Sequence, residues 1–127
     1  MALAGMHHVV VRVEDFDASV KKWESITGKQ VDRTDQNDGL GIKQAFFDLP
    51  GGGFIEIVAP TDPEGAVGKA IAGRGEGIHT LSMSVDNMSD TIDGLKSAGV
   101  QLIGEGGPQV FIHPKSANGV LVQLSEG

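Results

Sequence analysis

The chain has 127 residues, 39% of them hydrophobic, with a formal net charge of −7, 19 glycines and no cysteine. That is enough apolar sequence for one compact domain with a core, and it excludes a disulfide framework, thiolate catalysis and a cysteine-based zinc site. There is no cluster of Lys and Arg, which argues against nucleic acid as a partner, and no apolar run approaches the length of a membrane span. The opening M-A-L-A-G lacks the basic start and long apolar region of a secretory signal, so the expected compartment is the cytoplasm.

Met6–Val13 alternates, with His7, Val9, Val11 and Val13 on one face and His8, Val10 and Arg12 on the other, the pattern of a strand with one apolar side. A helix follows, with Asp15 or Asp17 as N-cap, an apolar stripe of Phe16, Val20, Trp23 and Ile26, and Gly28 as C-cap. Lys29–Thr34 reads as a short strand and D-Q-N-D-G as a polar turn. Ile42–Leu49 is a strand with Gln44, Phe46 and Asp48 on one face; P-G-G-G ends it. Phe54–Ala59 is another, with Phe54, Glu56 and Val58 opposite Ile55 and Ile57. The connection from residue 60 to 76 holds one short helix, Ala66–Ala72. Then come a strand Gly77–Val85, a helix Met88–Ala98 closed by Gly99, and strands Val100–Ile103, Gln109–His113 and Val120–Leu124.

The second half repeats the first. I-H-T-L-S-M-S-V at Ile78–Val85 echoes M-H-H-V-V-V-R-V at Met6–Val13, with His7 on His79, His8 on Thr80 and Val13 on Val85. At the same offset Phe16, Val20, Trp23 and Ile26 fall on Met88, Ile92, Leu95 and Ala98. The expected architecture is therefore α+β, a single domain over 1–127 made of two tandem β-α-β-β-β modules, 6–59 and 77–125, joined by the linker 60–76. The apolar strand faces pack under the helices. The opposite faces curl into a concave cleft, into which His8, Val10, Arg12, Gln44, Phe46, Glu56, Thr80, Ser82, Ser84 and Gln123 point. A half-buried sheet with water outside gives the same pattern.

Several of these motifs carry a likeness. The repeated unit, F-I-E-I-V-A-P, G-E-G-I-H and the ending F-I-H-P-K-S-A-N-G-V-L-V-Q-L resemble the vicinal oxygen chelate superfamily, which includes glyoxalase I, ring-cleaving dioxygenases and bleomycin-resistance proteins. Within it the sequence is most similar to methylmalonyl-CoA epimerases, over about residues 6–126. The resemblance implies a divalent transition metal in the cleft and a homodimer. It places the four metal ligands on His8, Glu56, Thr80 and Gln123, and the two proton-transferring carboxylates on Gln44 and Gln123. His8 and Glu56 are strong donors, the Gln123 amide a poor one, and the Thr80 hydroxyl weaker still, so the tentative metal set is His8, Glu56 and Gln123. Amides at 44 and 123 exchange hydrogen bonds but cannot act as bases near neutral pH.

The resemblance also implies that His113, Lys115 and Ser116 lie near an acyl-CoA; read from the residues alone, His113 stabilises a turn before Pro114. Arg12 is either a structural arginine paired with Asp48 or Glu56 or an anchor for a substrate carboxylate. His7 and His79 are expected beneath the helices with their nitrogens bonded to backbone, unless a bulge turns them into the cleft.

Two functions follow. One is an isomerase- or lyase-type enzyme forming an enolate from a small acyl-CoA thioester or an α-oxo or carboxylate compound. Its catalytic groups are His8, Glu56, Gln44 and Gln123, with Thr80, Ser82, Arg12 and Phe46 contacting substrate. The other is a non-catalytic protein that sequesters a small molecule, such as an antibiotic, in the same cleft.

Overall fold

A computed structural model describes residues 3–126. Its strands are β1 (Leu3–Arg12), β2 (Arg33–Asn37), β3 (Ile42–Asp48), β4 (Phe54–Pro60), β5 (Gly77–Val85), β6 (Leu102–Ile103), β7 (Val110–Ile112) and β8 (Val122–Glu126). The helices are α1 (Phe16–Thr27), α2 (Ala66–Arg74) and α3 (Met88–Ser97), with a 3₁₀ turn at Pro114–Ser116. The class is α+β, and the β-α-β-β-β order occurs twice, as the repeat requires. Among the described residues, no helix is long and apolar enough to cross a membrane. The chain forms two compact units. One is Val9–His79; the other holds the remaining described residues, so the division falls inside β1 and inside β5.

In the Val9–His79 unit the strand order is β2-β3-β4-β1. Alternate residues face α1, so Val13, Ala45, Phe47, Ile57 and Ala59 form a core against Phe16, Val20 and Trp23. The Asp15 carboxylate accepts from the Ala18 amide at 3.0 Å, and Gly28, at φ 73°, ends the helix. Ile26 does not join the stripe; it is 60% exposed. Two successive three-residue steps after Val20 rotate it about 60° beyond Trp23 at 100° per residue, off the buried face. Ala98 stands at the same place in α3 and lies outside that helix, as its C-cap.

The connection between the copies is more structured than expected. α2 runs two residues further, to Arg74, and puts its i,i+4 pair Val67 and Ile71 on Val10, Ile42 and Val58. Val10 is therefore buried under α2 rather than open to a cleft. The approach to α2 is tied to the turn before β3: the Thr61 amide bonds Gly41 O at 2.7 Å and the Gly65 amide bonds Asp62 O at 3.1 Å. A Cβ at Gly68 would stand 2.6 Å from Asp62 O and 2.7 Å from Pro63 Cα, so only glycine fits.

β2 lies later than expected, over Arg33–Asn37, and most of the D-Q-N-D-G segment is strand. All five of its residues are exposed. It is an edge strand held by its ladder to β3, with Arg33 opposite Phe46 and Asp35 opposite Gln44, and it carries no apolar alternation for a sequence to show.

In the other unit the order is β5-β8-β7-β6. β5 and β8 are parallel, with Ser82 opposite Gln123 and Ser84 opposite Ser125; β7 and β8 are antiparallel. Val85, Val110, Val122 and Leu124 form the core with Met83 and the α3 stripe Met88, Ile92 and Leu95. Asn87 caps α3 by accepting from the Asp90 amide at 3.0 Å, at the repeat position of Asp15. The three last strands are shorter or shifted: β6 starts at Leu102, β7 covers Val110–Ile112 and β8 starts at Val122. The turns around them hold their residues through specific bonds, His113 N to Gln101 O at 2.9 Å and Val120 N to Ala117 O at 3.0 Å.

Two glycines mark the repeat once more. Gly5 in β1 has φ 149° and Gly77 in β5 has φ 153°, each two residues before a histidine, in a conformation close to glycine-only.

Candidate functional site

β3 and β4 set the polar face of the Val9–His79 unit. Their antiparallel register puts Phe46 opposite Glu56 and Asp48 opposite Phe54, and the period of two sends Gln44, Phe46 and Glu56 to the same side. Glu56 is buried, and its Oε2 accepts from Gln44 Nε2 at 2.9 Å. Burial raises the Glu56 carboxyl above its ordinary range; the Gln44 bond and the charge of Arg33 pull the other way. Such a carboxyl holds its proton closer to neutral pH than an exposed one, which is what a group that takes and returns a proton requires.

Phe46 meets Phe54 edge to face at 5.7 Å between ring centres. The Arg33 guanidinium lies 4.6 Å above Phe46 and 5.8 Å from Phe54, and bonds both oxygens of Asp48 at 3.1 Å. Arg33 was not among the residues selected from sequence. With the second strand read as ending at Thr34, its pairing opposite Phe46 had no signal.

Arg12 is 6% exposed and is not paired with Asp48 or Glu56. Its Nε donates to Gly75 O at 2.7 Å and its Nη1 to Ile78 O at 2.9 Å. It thus joins β1 to the end of α2 and the start of β5, where cationic donors suit the free carbonyls of a helix C-terminus. Burial and the neighbouring Arg74 lower its pKa. His79 follows in β5. Its Nδ1 is buried and has no hydrogen-bond partner among the described residues, unlike the backbone-bonded histidine expected. Burial first, then Arg12 and Arg74, lower its pKa.

In the other unit, His8 Nδ1 lies 2.7 Å from His7 Nδ1, with the rings edge to face and their centres 5.0 Å apart. His7 was expected to turn away beneath a helix; the two adjacent rings instead converge. Burial, then the charge of His7, lowers the His8 pKa to about 4, so its imidazole is neutral at neutral pH. Thr80, Ser82 and Ser84 are buried on β5, and Ser82 Oγ lies 2.9 Å from Ser125 Oγ on β8. Gln123 is half-buried between Ser82 and Phe111 in the ladder.

His113 caps the 3₁₀ turn, its Nδ1 accepting from the Lys115 amide at 3.0 Å, and Ser116 Oγ accepts from the Gln101 amide at 3.0 Å. Both side chains hold the turn, and Lys115 is exposed. Separate clefts, of 370 Å³ at the start of α1 and 490 Å³ at the start of α3, are lined mainly by acids and polar groups and contain none of the residues selected from sequence.

As metal ligands, His8, Glu56, Thr80 and Gln123 offer one imidazole, one carboxylate, one hydroxyl and one amide. Two strong donors do not fit a four-donor transition-metal centre. No group of three His, Asp or Glu side chains among the described residues makes up the difference.

A family profile described as glyoxalase/bleomycin resistance protein/dioxygenase superfamily matches residues 7–116. The chain belongs to this superfamily. An ethylmalonyl-CoA/methylmalonyl-CoA epimerase of Cereibacter sphaeroides is 30% identical over 95% of the chain and 96% of its own length. The crystal structure of methylmalonyl-CoA epimerase from Mycobacterium tuberculosis is 32% identical, with a TM-score of 0.84 over 98% of this chain and 88% of that one. A variant of the Streptomyces coelicolor methylmalonyl-CoA epimerase, in complex with 2-nitronate-propionyl-CoA, has a TM-score of 0.81 at 27% identity, over 99% of each chain. These superfamily members match essentially the whole chain, so the fold expected from the repeat holds.

Proposed function

We propose that this superfamily member is an epimerase-like enzyme acting on a small acyl-CoA, removing and returning the proton on the carbon beside the thioester. The buried Glu56 carboxyl, raised by its burial and aligned by Gln44, is the observation that carries the reading. The likeness to acyl-CoA epimerases supports the substrate class. In the reaction Glu56 takes the α-proton, the C–H electron pair moves into the thioester carbonyl, and an enolate forms. Donors at Gln44, Thr80 and Gln123 stabilise the enolate oxygen. His8 is the second side chain of this set able to carry a proton. Phe46, His113, Lys115 and Ser116 contact the acyl-CoA, whereas Ser82 has no exposed surface and bonds Ser125 instead. Arg12 reaches a substrate carboxylate through Nη2 and the remaining hydrogen of Nη1, since Nε and one Nη1 hydrogen are engaged. The same reading takes the chain as a single domain, working as a homodimer in the cytoplasm.

The test is deuterium exchange from solvent into the α-position of methylmalonyl-CoA, followed by mass spectrometry. The wild-type protein is expected to exchange well above the buffer rate, and Glu56→Gln to lose about 10²–10⁴-fold. The amides at Gln44 and Gln123, where the epimerase pattern carries carboxylates, favour a second reading, a sequestering protein with no turnover. Tight binding of an acyl-CoA or a drug, with no exchange across a panel of thioesters, would establish that reading and end the first.

A further inference from the structure

We propose that Arg33 is a specificity-determining residue: laid over Phe46 in the same cross-strand row as Glu56, its guanidinium takes a free carboxylate carried by the acyl group. The proposal rests on the acyl-CoA reading above. In the ladders Arg33 stands opposite Phe46, and Phe46 opposite Glu56. Residues directly opposite in antiparallel strands point to the same side, here the side away from α1. Two strand spacings separate the backbones of Arg33 and Glu56 by about 10 Å. The guanidinium closes part of that gap by reaching inward over the Phe46 ring, which lies between them. Its charge is felt at Glu56, where it opposes the effect of burial.

Arg33 keeps the donors that a carboxylate needs. Only its Nη1 engages Asp48. Nε and Nη2 have no hydrogen-bond partner among the described residues, and the side chain is 51% exposed. That edge of the guanidinium presents two parallel N–H groups, the geometry of a bidentate carboxylate pair. Its plane is already set, by Phe46 at 4.6 Å, Phe54 at 5.8 Å and Asp48 at the far end. A cation fixed in this way loses little freedom when it binds.

The neighbouring cations are less well placed. Lys43 on β3 points to the opposite face, with its Nζ 5.9 Å from the ring of Phe16 on α1. Arg12 has donors to spare, but it is 6% exposed and tied to two backbone carbonyls. An acyl group with a carboxylate on its reacting carbon gains a second negative charge as the enolate forms. Holding that carboxylate on Arg33 turns the α C–H toward Glu56 and keeps a positive charge beside the developing one.

The test compares methylmalonyl-CoA with propionyl-CoA, which differ only by the carboxylate. Calorimetry on the full chain measures the affinity for each, and solvent deuterium exchange gives KM for the first. Wild type is expected to prefer methylmalonyl-CoA. Arg33→Ala should weaken that ligand about tenfold, raise its KM to match and leave propionyl-CoA unchanged, and Arg33→Lys should recover part of the loss. Asp48→Asn separates recognition from scaffolding: it breaks the same ion pair but leaves the guanidinium more positive, so the preference should be kept or should grow. Thermal melts check that the variants are folded; if Arg33→Ala is not, Arg33→Gln carries the same expectation. A preference kept in a folded Arg33 variant, or lost equally in Asp48→Asn, overturns the role of Arg33 while the acyl-CoA reading stands. A wild-type chain that neither binds nor exchanges either thioester ends both.

Discussion

Glu56 is buried beside a polar amide, and its burial outweighs the favourable contacts that would keep it ionised. Its native pKa lies above the unfolded value, so between the two the native state holds the extra proton. Stability from this group is present below the unfolded pKa and is lost as pH rises through the native one. Removing the charge removes the dependence: Glu56→Gln is expected to melt higher than wild type at neutral pH and to flatten the fall in melting temperature above the ordinary carboxylate range. A pH series of thermal melts on both proteins measures this; a lower melting temperature for the variant across the whole range contradicts it. Glu56 and Gln44 were legible because strand alternation put them on the polar side. The convergence of His7 and His8 was not, since a period of two assigns neighbours to opposite faces and nothing in M-H-H announces an irregular backbone. Arg33 was missed for a related reason: its partner strand gives it a role its own polar neighbours do not.

Arg12 shows why one element's stability depends on another. Two charge-assisted bonds, to Gly75 O and Ile78 O, tie β1 to the end of α2 and the start of β5. Arg12→Ala is expected to cost about 3 kcal/mol in denaturant unfolding and to speed amide exchange in the last turn of α2. Arg12→Lys is expected to recover less than half, because one ammonium group does not reproduce a fork aimed at two carbonyls. Equal exchange in wild type and Arg12→Ala shows that the pair does not hold the helix end. At the helix starts, Asp15→Ala and Asn87→Ala are each expected to cost about 1 kcal/mol in the same assay. Both α1 and α3 could be read closely from sequence because they carry a stripe and a capping side chain. β2 could not, because an exposed edge strand is specified by its partner's ladder.

The molecule as a whole has cores in both units: Phe47 in one and Leu124 in the other are buried among apolar neighbours. If the chain is one domain, Phe47→Ala and Leu124→Ala, each costing about 2–5 kcal/mol, lower the midpoint of one shared calorimetric transition. Two separable peaks, each moved by one variant alone, would mean two domains. The repeat made the architecture visible before any contact was known, since two copies of one strand and one helix stripe leave few alternatives.

The segment between the copies is a connection, and connections are usually where a chain tolerates variation. Its fit to glycine contradicts that. Gly68 leaves no space for a Cβ beside Asp62 and Pro63, and at Gly41 a Cβ would stand 2.7 Å from the Asp62 side chain. Residues inserted between Pro60 and Ala66 would lift α2 off Val10, Ile42 and Val58. The turn at Gly51–Gly52, where an added Cβ meets nothing within 4 Å, is one place where this chain can grow. A peptide tag or a fused domain spliced there should be carried without loss, and the same graft ahead of α2 should not.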